Sequence, residues 1–288
     1  MRVKLFGKAK VNRSHAGNVV IYVFVIAFAA LQSLTVLFTV FSAFKPLNEI
    51  YLNPPNLFVI NPTLDNFRDA FKVMNSSWVP FFRYIFNSLF VTAAGILLTV
   101  LLSSLAAYPL AKMKTMPGAK FMAWFIVLSL MLSPDVSGMT TFLLMSKLQM
   151  INTHLSIIVP ALATAFNVFL LKQFMEQMIP DSLVEAAKID GANEFVIWFR
   201  IALPIIKPAI FTMVIFSMQS LWNNPGTMIY SEELKTLPYA MQQLVAGGIS
   251  RTGIASAVGV MILVVPFLSF VFFQSKVIET MSTSGIKD

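Results

Sequence analysis

The chain has 288 residues, of which 57% are hydrophobic and only 12% are charged, whereas soluble domains carry about 25% charged residues. This composition excludes an ordinary water-soluble globule. The net charge is +8, and the basic residues flank apolar runs instead of forming one stripe, which favours membrane topology over nucleic-acid binding. The chain has no cysteine and only two histidines, His15 and His154, so disulfides, thiol nucleophiles and multi-histidine metal centres are excluded.

Six apolar stretches are predicted to cross the membrane as helices, since a bilayer core of about 30 Å requires about 20 apolar residues. If the N-terminus is cytoplasmic, two thirds of the Lys and Arg residues lie on the cytoplasmic side, as the positive-inside rule requires. We therefore expect an all-α membrane protein with six transmembrane helices, both termini in the cytoplasm and a single transmembrane domain over residues 1–288. The stretches cover approximately residues 19–44, 85–111, 121–146, 155–171, 205–222 and 253–275.

Two of the connecting segments are expected to form external loops. The first covers residues 45–84 and is predicted to contain an interfacial helix over residues 64–74. The second covers residues 223–251 and contains two glycine-rich turn signals. We expect this second loop to contact a partner outside the cell through Asn224, Gly226, Gly247 and Gly248.

The connection at residues 172–204 is expected to be a cytoplasmic loop with two short helices. Ser182 and Glu185 have the spacing of a capping box, which predicts that a helix begins at Ser182. Gly191 is placed to end that helix in the left-handed conformation, and Asn193 is placed to cap the next helix. Periodicity alone equally fits an amphipathic surface helix with no further role. One small apolar face is predicted from Leu183, Ala186, Ala187 and Asp190.

The motif at residues 185–192, Glu-Ala-Ala-Lys-Ile-Asp-Gly-Ala, resembles the EAA loop of the permease subunits of binding-protein-dependent ABC importers. We call residues 182–192 the EAA segment. Residues 61–67, 235–238 and 284–287 resemble the carbohydrate branch of that family, of the type represented by the smaller maltose-transporter permease. The ending at residues 278–285 resembles the subgroup associated with complex or acidic oligosaccharides.

The resemblance implies the type I ABC importer permease fold and ATP-driven import of a carbohydrate, in particular an oligosaccharide. It implies as partners a homologous second permease, an ABC ATPase dimer and an extracytoplasmic sugar-binding protein, in the inner membrane of a bacterium. It also implies that the EAA segment is the coupling helix that docks on the ATPase, through Ser182, Glu185, Ala186, Ala187, Asp190, Gly191 and Ala192.

No G-x-x-x-x-G-K-[ST] phosphate-binding loop occurs in the chain. ATP and Mg²⁺ are therefore expected in a separate ATPase subunit, and no catalytic residue, metal or bound cofactor is expected in this one. Two alternatives stay open. One is an ABC importer permease for a non-sugar solute, because the EAA loop is shared across such importers. The other is a secondary transporter driven by an ion gradient, a class that usually shows repeated halves and several intramembrane charges.

Four polar residues in or near the predicted spans are candidates for a substrate pathway: Asp135, Asn87, Asn167 and Gln219. Asp135 is the only ionisable residue in the middle of a predicted span, where a carboxylate costs about 2.5–3.5 kcal/mol on insertion scales. It would repel an anionic substrate. The alternative for all four residues is a structural hydrogen bond between helices.

Overall fold

The computed structural model describes residues 15–52, 54, 56–75, 78–113, 116–132, 134–162, 164–246 and 252–284. This part of the chain contains α-helices, one π-helical turn at Trp198–Ala202, one 3-10 turn at Glu232–Leu234 and no strand. The helices are α1 (His15–Phe44), α2 (Leu47–Ile50), α3 (Asp65–Asn75), α4 (Phe81–Lys112), α5 (Ala119–Leu130), α6 (Pro134–Lys147), α7 (Leu155–Leu162), α8 (Ala165–Met178), α9 (Asp181–Ile189), α10 (Glu194–Ile197), α11 (Leu203–Ile205), α12 (Lys207–Trp222), α13 (Leu237–Val245) and α14 (Thr252–Ser284).

Four helical stretches of the described residues are long and apolar enough to cross a membrane, and they lie in α1, α4, α7 with α8, and α14. A fifth is formed if the bent pair Glu194–Ile205 and Lys207–Trp222, which meet at 80°, counts as one span. The predicted third span is instead two helices, α5 and α6. Proline lacks the backbone N–H that would continue a helix and is favoured at a helix start, which explains why α6 begins at Pro134.

Helix α4 is the centre of the bundle and packs against α7, α8 and α12. One side of α4 carries small residues at helical spacing, and all of them are buried: Ser88, Thr92, Gly95, Thr99, Ser103 and Ala107. Lipid tails are as apolar as the helices, so the hydrophobic effect does not drive membrane helices together. They associate through close packing, which small side chains permit. The small side of α4 therefore sets the spacing of the bundle.

Each end of α4 is held in a separate apolar cluster. One cluster surrounds Tyr108 and includes Met175, Val184 and Trp198, so it joins α4 to α8, α9 and the π-helical turn. The other surrounds Phe81 and Tyr84 and joins α4 to α3, α13 and α14. In contrast, residues 18–38 of α1 are exposed within the chain, so most of α1 is left for lipid or another protein.

The segment at residues 45–84 contains the predicted helix as α3. Its start is fixed by buried polar groups. The Glu49 carboxylate accepts hydrogen bonds from the backbone N–H groups of Ile60 (3.1 Å) and Asn61 (2.8 Å), and the Ile60 bond is the largest cause that lowers the pKa of Glu49. Asn66 donates to the carbonyl oxygens of Ala43 (3.0 Å) and Lys45 (2.7 Å). These bonds attach α3 to the end of α1.

The close approach of α4 and α12 predicts that Gly95→Ala lowers the melting temperature of the purified protein. A Cβ atom at Gly95 would lie 2.6 Å from Leu221 Cδ1, so the buried Leu221 must shift. Overpacking of this kind costs about 1–3 kcal/mol. Gly259→Ala is the matched control, because a Cβ atom there meets nothing closer than 3.5 Å. Equal melting temperatures for the two variants would contradict the packing argument.

Candidate functional site: the EAA segment and a polar chamber

The EAA segment forms α9 and the turn that follows it, but the predicted capping box is wrong. Pro180 occupies the N-cap position with extended backbone (φ −63°, ψ 139°), and α9 begins at Asp181. Ser182 is consequently inside the helix, where it cannot cap it. The Pro180 carbonyl accepts the Leu183 N–H at 3.1 Å and so closes the first turn.

The end of α9 agrees with the prediction. Gly191 adopts the left-handed conformation at φ +82°. Its N–H donates to the Lys188 carbonyl at 3.0 Å, and the Ala192 N–H donates to the Ala187 carbonyl at 2.9 Å, which is the Schellman pattern. Asn193 then caps α10 by accepting the Val196 N–H at 2.8 Å. Helix α9 is thus a rigid unit that ends at a defined residue.

The two sides of α9 differ in exposure. Val184 and Ala187 are buried in the cluster around Tyr108, so Ala187 is separated from the exposed Leu183 and Ala186, with which it was predicted to form one apolar face. Ala192 is half-buried. The outer face combines two large apolar side chains, Ile189 at 86% and Leu183 at 40% exposure, with small and acidic residues: Ser182, Glu185, Ala186, Asp190 and Gly191. This face therefore leaves apolar and acidic side chains of α9 available to another protein.

Two groups of polar contacts, one around Lys112 and one around Glu194, attach α9 and its flanking residues to α4. We call them the α4 ties. Lys112 Nζ donates to the Ile179 carbonyl (2.6 Å) and to Asp181 Oδ1 (2.9 Å). The Tyr108 hydroxyl donates to Glu194 Oε2 (2.7 Å), and Lys188 Nζ lies 2.6 Å from Glu194 Oε1. Because Tyr108 and Lys112 are four residues apart, they share one face of α4. The ties hold both ends of α9 against the end of a helix that is distant in sequence.

Two adjoining cavities, which we call the polar chamber, lie between helices of the bundle. The first is lined by α4, α7, α8 and α12, and the second by α6, α7, α12 and the loop at residues 224–228. The first has a volume of about 220 Å³, and the second about 350 Å³. No charged side chain occurs among the described residues that line them. Polar lining residues are Thr99, Asn167 and Ser217 in the first cavity, Thr164 and Ser220 in both, and Thr141, Ser156, Asn224 and Thr227 in the second.

Of the predicted pathway residues, Asn167 lies in the chamber, where its Nδ2 donates to Ser217 Oγ at 3.2 Å. Asn87 is fully buried elsewhere and donates to the carbonyls of Glu233 (2.7 Å) and Lys235 (2.9 Å), so it fastens a loop. Gln219 is exposed on α12 and is not among the described lining residues. Asp135 lies in the first turn of α6, and its side chain is outside the described part of the structure.

The structure describes only two of the four residues that were predicted to contact an external partner, Asn224 and Gly226. Asn224 Oδ1 accepts the Gly226 N–H at 2.9 Å, which confirms the turn. Gly226 is at φ +64° and buried, since a Cβ atom there would lie 2.8 Å from Ile157 Cδ1. Both residues line the chamber instead of projecting outward. Gly247 and Gly248 lie outside the described residues.

Sequence reasoning missed the other anchor of this loop. Asn152, at φ +62°, accepts the N–H groups of Tyr230 (3.0 Å) and Ser231 (2.8 Å). Glu232 accepts from Tyr84 Oη at 2.6 Å and from Lys235 Nζ at 2.5 Å. Burial raises the pKa of Glu232, but these two hydrogen bonds outweigh it and hold the pKa below its usual value. The loop is therefore fixed over one end of the chamber.

No protein-family model matches the chain. A relative of similar length is the arabinooligosaccharides transport system permease protein AraQ of Halalkalibacterium halodurans, which is 30% identical over 254 residues, 86% of this chain and 88% of the relative. The chain belongs to the permease family of carbohydrate ABC importers. It is therefore a multi-pass inner-membrane protein and a transport subunit.

Two further comparisons agree with this membership. The polygalacturonan/rhamnogalacturonan transport system permease protein YtcP of Bacillus subtilis is 32% identical to this permease over 212 residues, 74% of this chain and 71% of the relative. The crystal structure of a bacterial ABC transporter involved in the import of the acidic polysaccharide alginate matches with a TM-score of 0.75 at 20% identity. The match covers 91% of this chain and 98% of that chain, and it shows the ABC importer permease fold.

The α4 ties predict that Lys112→Met loosens α9 in the permease. Lys112 has only 4% side-chain exposure, and Met keeps its apolar stem while removing two hydrogen bonds. Because Asp181 is 44% exposed, we expect a loss of about 1 kcal/mol, which is about a fivefold faster amide hydrogen exchange over residues 181–190. Lys172→Met, which breaks the Lys172–Glu176 pair within α8, is the control. Unchanged exchange in Lys112→Met would show that this tie does not hold α9.

Proposed function

We propose that this chain is one of two homologous permease subunits in an ABC importer whose ATPase dimer docks on the EAA segment. The observation that carries the proposal is the outer face of α9: a capped helix that presents exposed Ile189 and Glu185, while its inner face and both ends are attached to the bundle. A helix held on one side and open on the other is suited to transmit displacement from a partner.

The topology that fits this role has six transmembrane helices, with both termini and the EAA segment in the cytoplasm. The third span is then α5 with α6, and the fifth contains the bend before α12. The residues over 1–288 form one permease domain. ATP and Mg²⁺ are bound by the ATPase, because this chain has no phosphate-binding loop.

Closure of the ATPase dimer displaces α9 in this proposal. Since the α4 ties join α9 to α4, and since α10 to α12 continue from it through an 80° bend, the displacement reaches two walls of the polar chamber together. The chamber then opens to the outside, and a binding protein docked over the loop at residues 223–251 releases its sugar. Different affinities of the two states for nucleotide bias the switch.

The substrate class follows from family membership: a carbohydrate, and in particular an oligosaccharide. Relatives include transport proteins for arabinooligosaccharides and for polygalacturonan. The described residues that line the chamber carry hydroxyl and amide groups and no charge, which supports a hydroxylated solute over an inorganic ion or an amino acid.

The test is copurification of the tagged chain from its native membrane, followed by reconstitution with candidate binding proteins. We expect a second permease and an ABC ATPase in the complex, and an ATPase rate that rises when one sugar-loaded binding protein is added. A chain that purifies alone, with no nucleotide-dependent activity, would overturn the proposal and favour the gradient-driven alternative.

Gly191 provides the sharpest test of the coupling role. Proline cannot adopt φ +82° and lacks the N–H that bonds Lys188, so Gly191→Pro should remove the rigid end of α9. We expect at least a tenfold loss of transport and less copurified ATPase, with normal membrane insertion. Gly191→Asn is the control, because Asn tolerates the left-handed region, and it should keep most of the activity.

A charge change on the outer face tests the same surface. Glu185→Lys should lower the amount of bound ATPase, whereas Glu233→Lys, the same change at an exposed position far from the EAA segment, should not. Equal copurification and uptake in Gly191→Pro, Glu185→Lys and the unaltered chain would refute ATPase docking on α9.

A further inference from the structure

A separate cavity lies near the start of α4, at the opposite end of that helix from the EAA segment. It has a volume of about 590 Å³ and lies between α3, α4, α12, α13 and α14. Ligand pockets usually enclose about 300–1,000 Å³. We call this cavity the apolar groove, since no charged side chain occurs among its described lining residues, which include Phe71, Phe81, Phe82, Ile85, Met261 and Val265.

The polar side chains that line the groove are already bonded within the chain. Asn75 Oδ1 accepts the Phe81 N–H at 2.8 Å, and Trp222 Nε1 donates to the Ile262 carbonyl at 2.9 Å. A solute in the groove would therefore meet mainly apolar surface.

The groove is open on one side, and its accessible walls are apolar. Phe82 is 73% exposed and Phe71 is 44% exposed. Phe81 and Trp222 are buried and close the floor. Trp78, just before α4, is 74% exposed, and aromatic side chains gather where a membrane meets water. Because α4 is long and apolar enough to span a membrane, the mouth of the groove lies at the boundary of the bilayer.

An exposed apolar strip continues from the groove along α14. Met261, Val265, Leu268 and Phe272 are spaced by four, three and four residues, so they share one face of the helix. Leu268 and Phe272 are exposed. The strip rises about 16 Å at 1.5 Å per residue, which is about half of a bilayer core of about 30 Å. Its length therefore matches the depth of one lipid leaflet.

Charges on α3 favour a lipid over a protein as the occupant. Helix α3 contributes Phe71 and Asn75 to the groove, and it also carries two exposed ion pairs. These pairs are Asp65 with Arg68 (3.8 Å) and Asp69 with Lys72 (3.1 Å). A protein that covered the groove and α3 would take these charges out of water at a cost in free energy. Lipid headgroups and interfacial water keep them solvated.

From these observations we infer that the apolar groove binds one acyl chain of a phospholipid from the leaflet at this end of α4. The lipid is then a bound ligand of the permease, held more firmly than the exchangeable lipid around it. This inference does not depend on the proposed function, because it uses only the membrane spans and the groove between them.

Photochemical cross-linking identifies the occupant. The photoreactive residue p-benzoylphenylalanine replaces Phe82, whose exposure allows the change without repacking. The protein is purified in detergent from its native membrane with its associated subunits, irradiated, and analysed by peptide mass. We expect a phospholipid on the peptide that contains position 82. The same replacement at Leu97 is the matched control, because Leu97 is 67% exposed on α4 but is not a described lining residue of the groove.

Three results would overturn the inference: no lipid at position 82, equal lipid at positions 82 and 97, or a cross-link from position 82 to another protein. The last result would assign the groove to a subunit interface.

Filling the groove should exclude the lipid. We expect Val265→Trp to lower the cross-linked phospholipid at position 82 about 10-fold, because the larger side chain displaces about two methylene groups of the acyl chain. Val264→Trp is the control, since Val264 is exposed on the same helix and is not a described lining residue. Ile85→Trp repeats the test from α4 if Val265→Trp does not fold. Unchanged cross-linking in a folded groove variant would contradict binding in the groove.

Discussion

The structure depends on the burial of small polar side chains along α4. In a bilayer no water is available to such groups, so each must bond its own helix, as Ser104 does with the Leu101 carbonyl at 3.0 Å, or a neighbouring segment, face a cavity, or remain unpaired at a cost. Ser88 accepts the Leu237 N–H at 2.8 Å, and Asn87 fastens the loop near Glu233. Thr99 lies beside the polar chamber, and its buried Oγ1 has no partner among the described residues. The same small side chains let α8 and α12 pack closely on α4 beside that chamber.

The two ends of α4 meet different parts of the molecule. Near Phe81 the helix holds an ordered loop above the chamber through Asn87 and Tyr84. Near Lys112 it holds α9 through the α4 ties. A single continuous helix therefore joins the surface proposed for the ATPase to the surface proposed for the binding protein. Energetic coupling between two distant sites requires a structural element that both of them can affect. Helix α4 contacts both proposed surfaces and can serve as that element.

Hydropathy and the EAA motif predicted the family, most of the spans, the left-handed Gly191 and the Asn193 cap, because these features are local in sequence. Helix α9 begins at Asp181, one residue before the predicted start, because the N-cap position is occupied by Pro180 and not by Ser182. The predicted third span is divided at Pro134. Thr99, Tyr108 and Lys112 were not singled out, because a threonine in an apolar run has no sequence signal until its neighbours are known. For the α4 ties, the only indication in the sequence was that Tyr108 and Lys112 lie four residues apart at the end of a predicted span.

The Asn87 contact also bears on how the protein is made. Its partners, the carbonyls of Glu233 and Lys235, lie 146 and 148 residues later in the chain. At a synthesis rate of about 5–20 residues per second, they leave the ribosome about 7–30 s after Asn87. During that interval α4 is already apolar enough to enter the membrane, but its amide has no partner from its own chain. The end of α4 near Asn87 therefore reaches its final hydrogen bonding only after four fifths of the chain has been made.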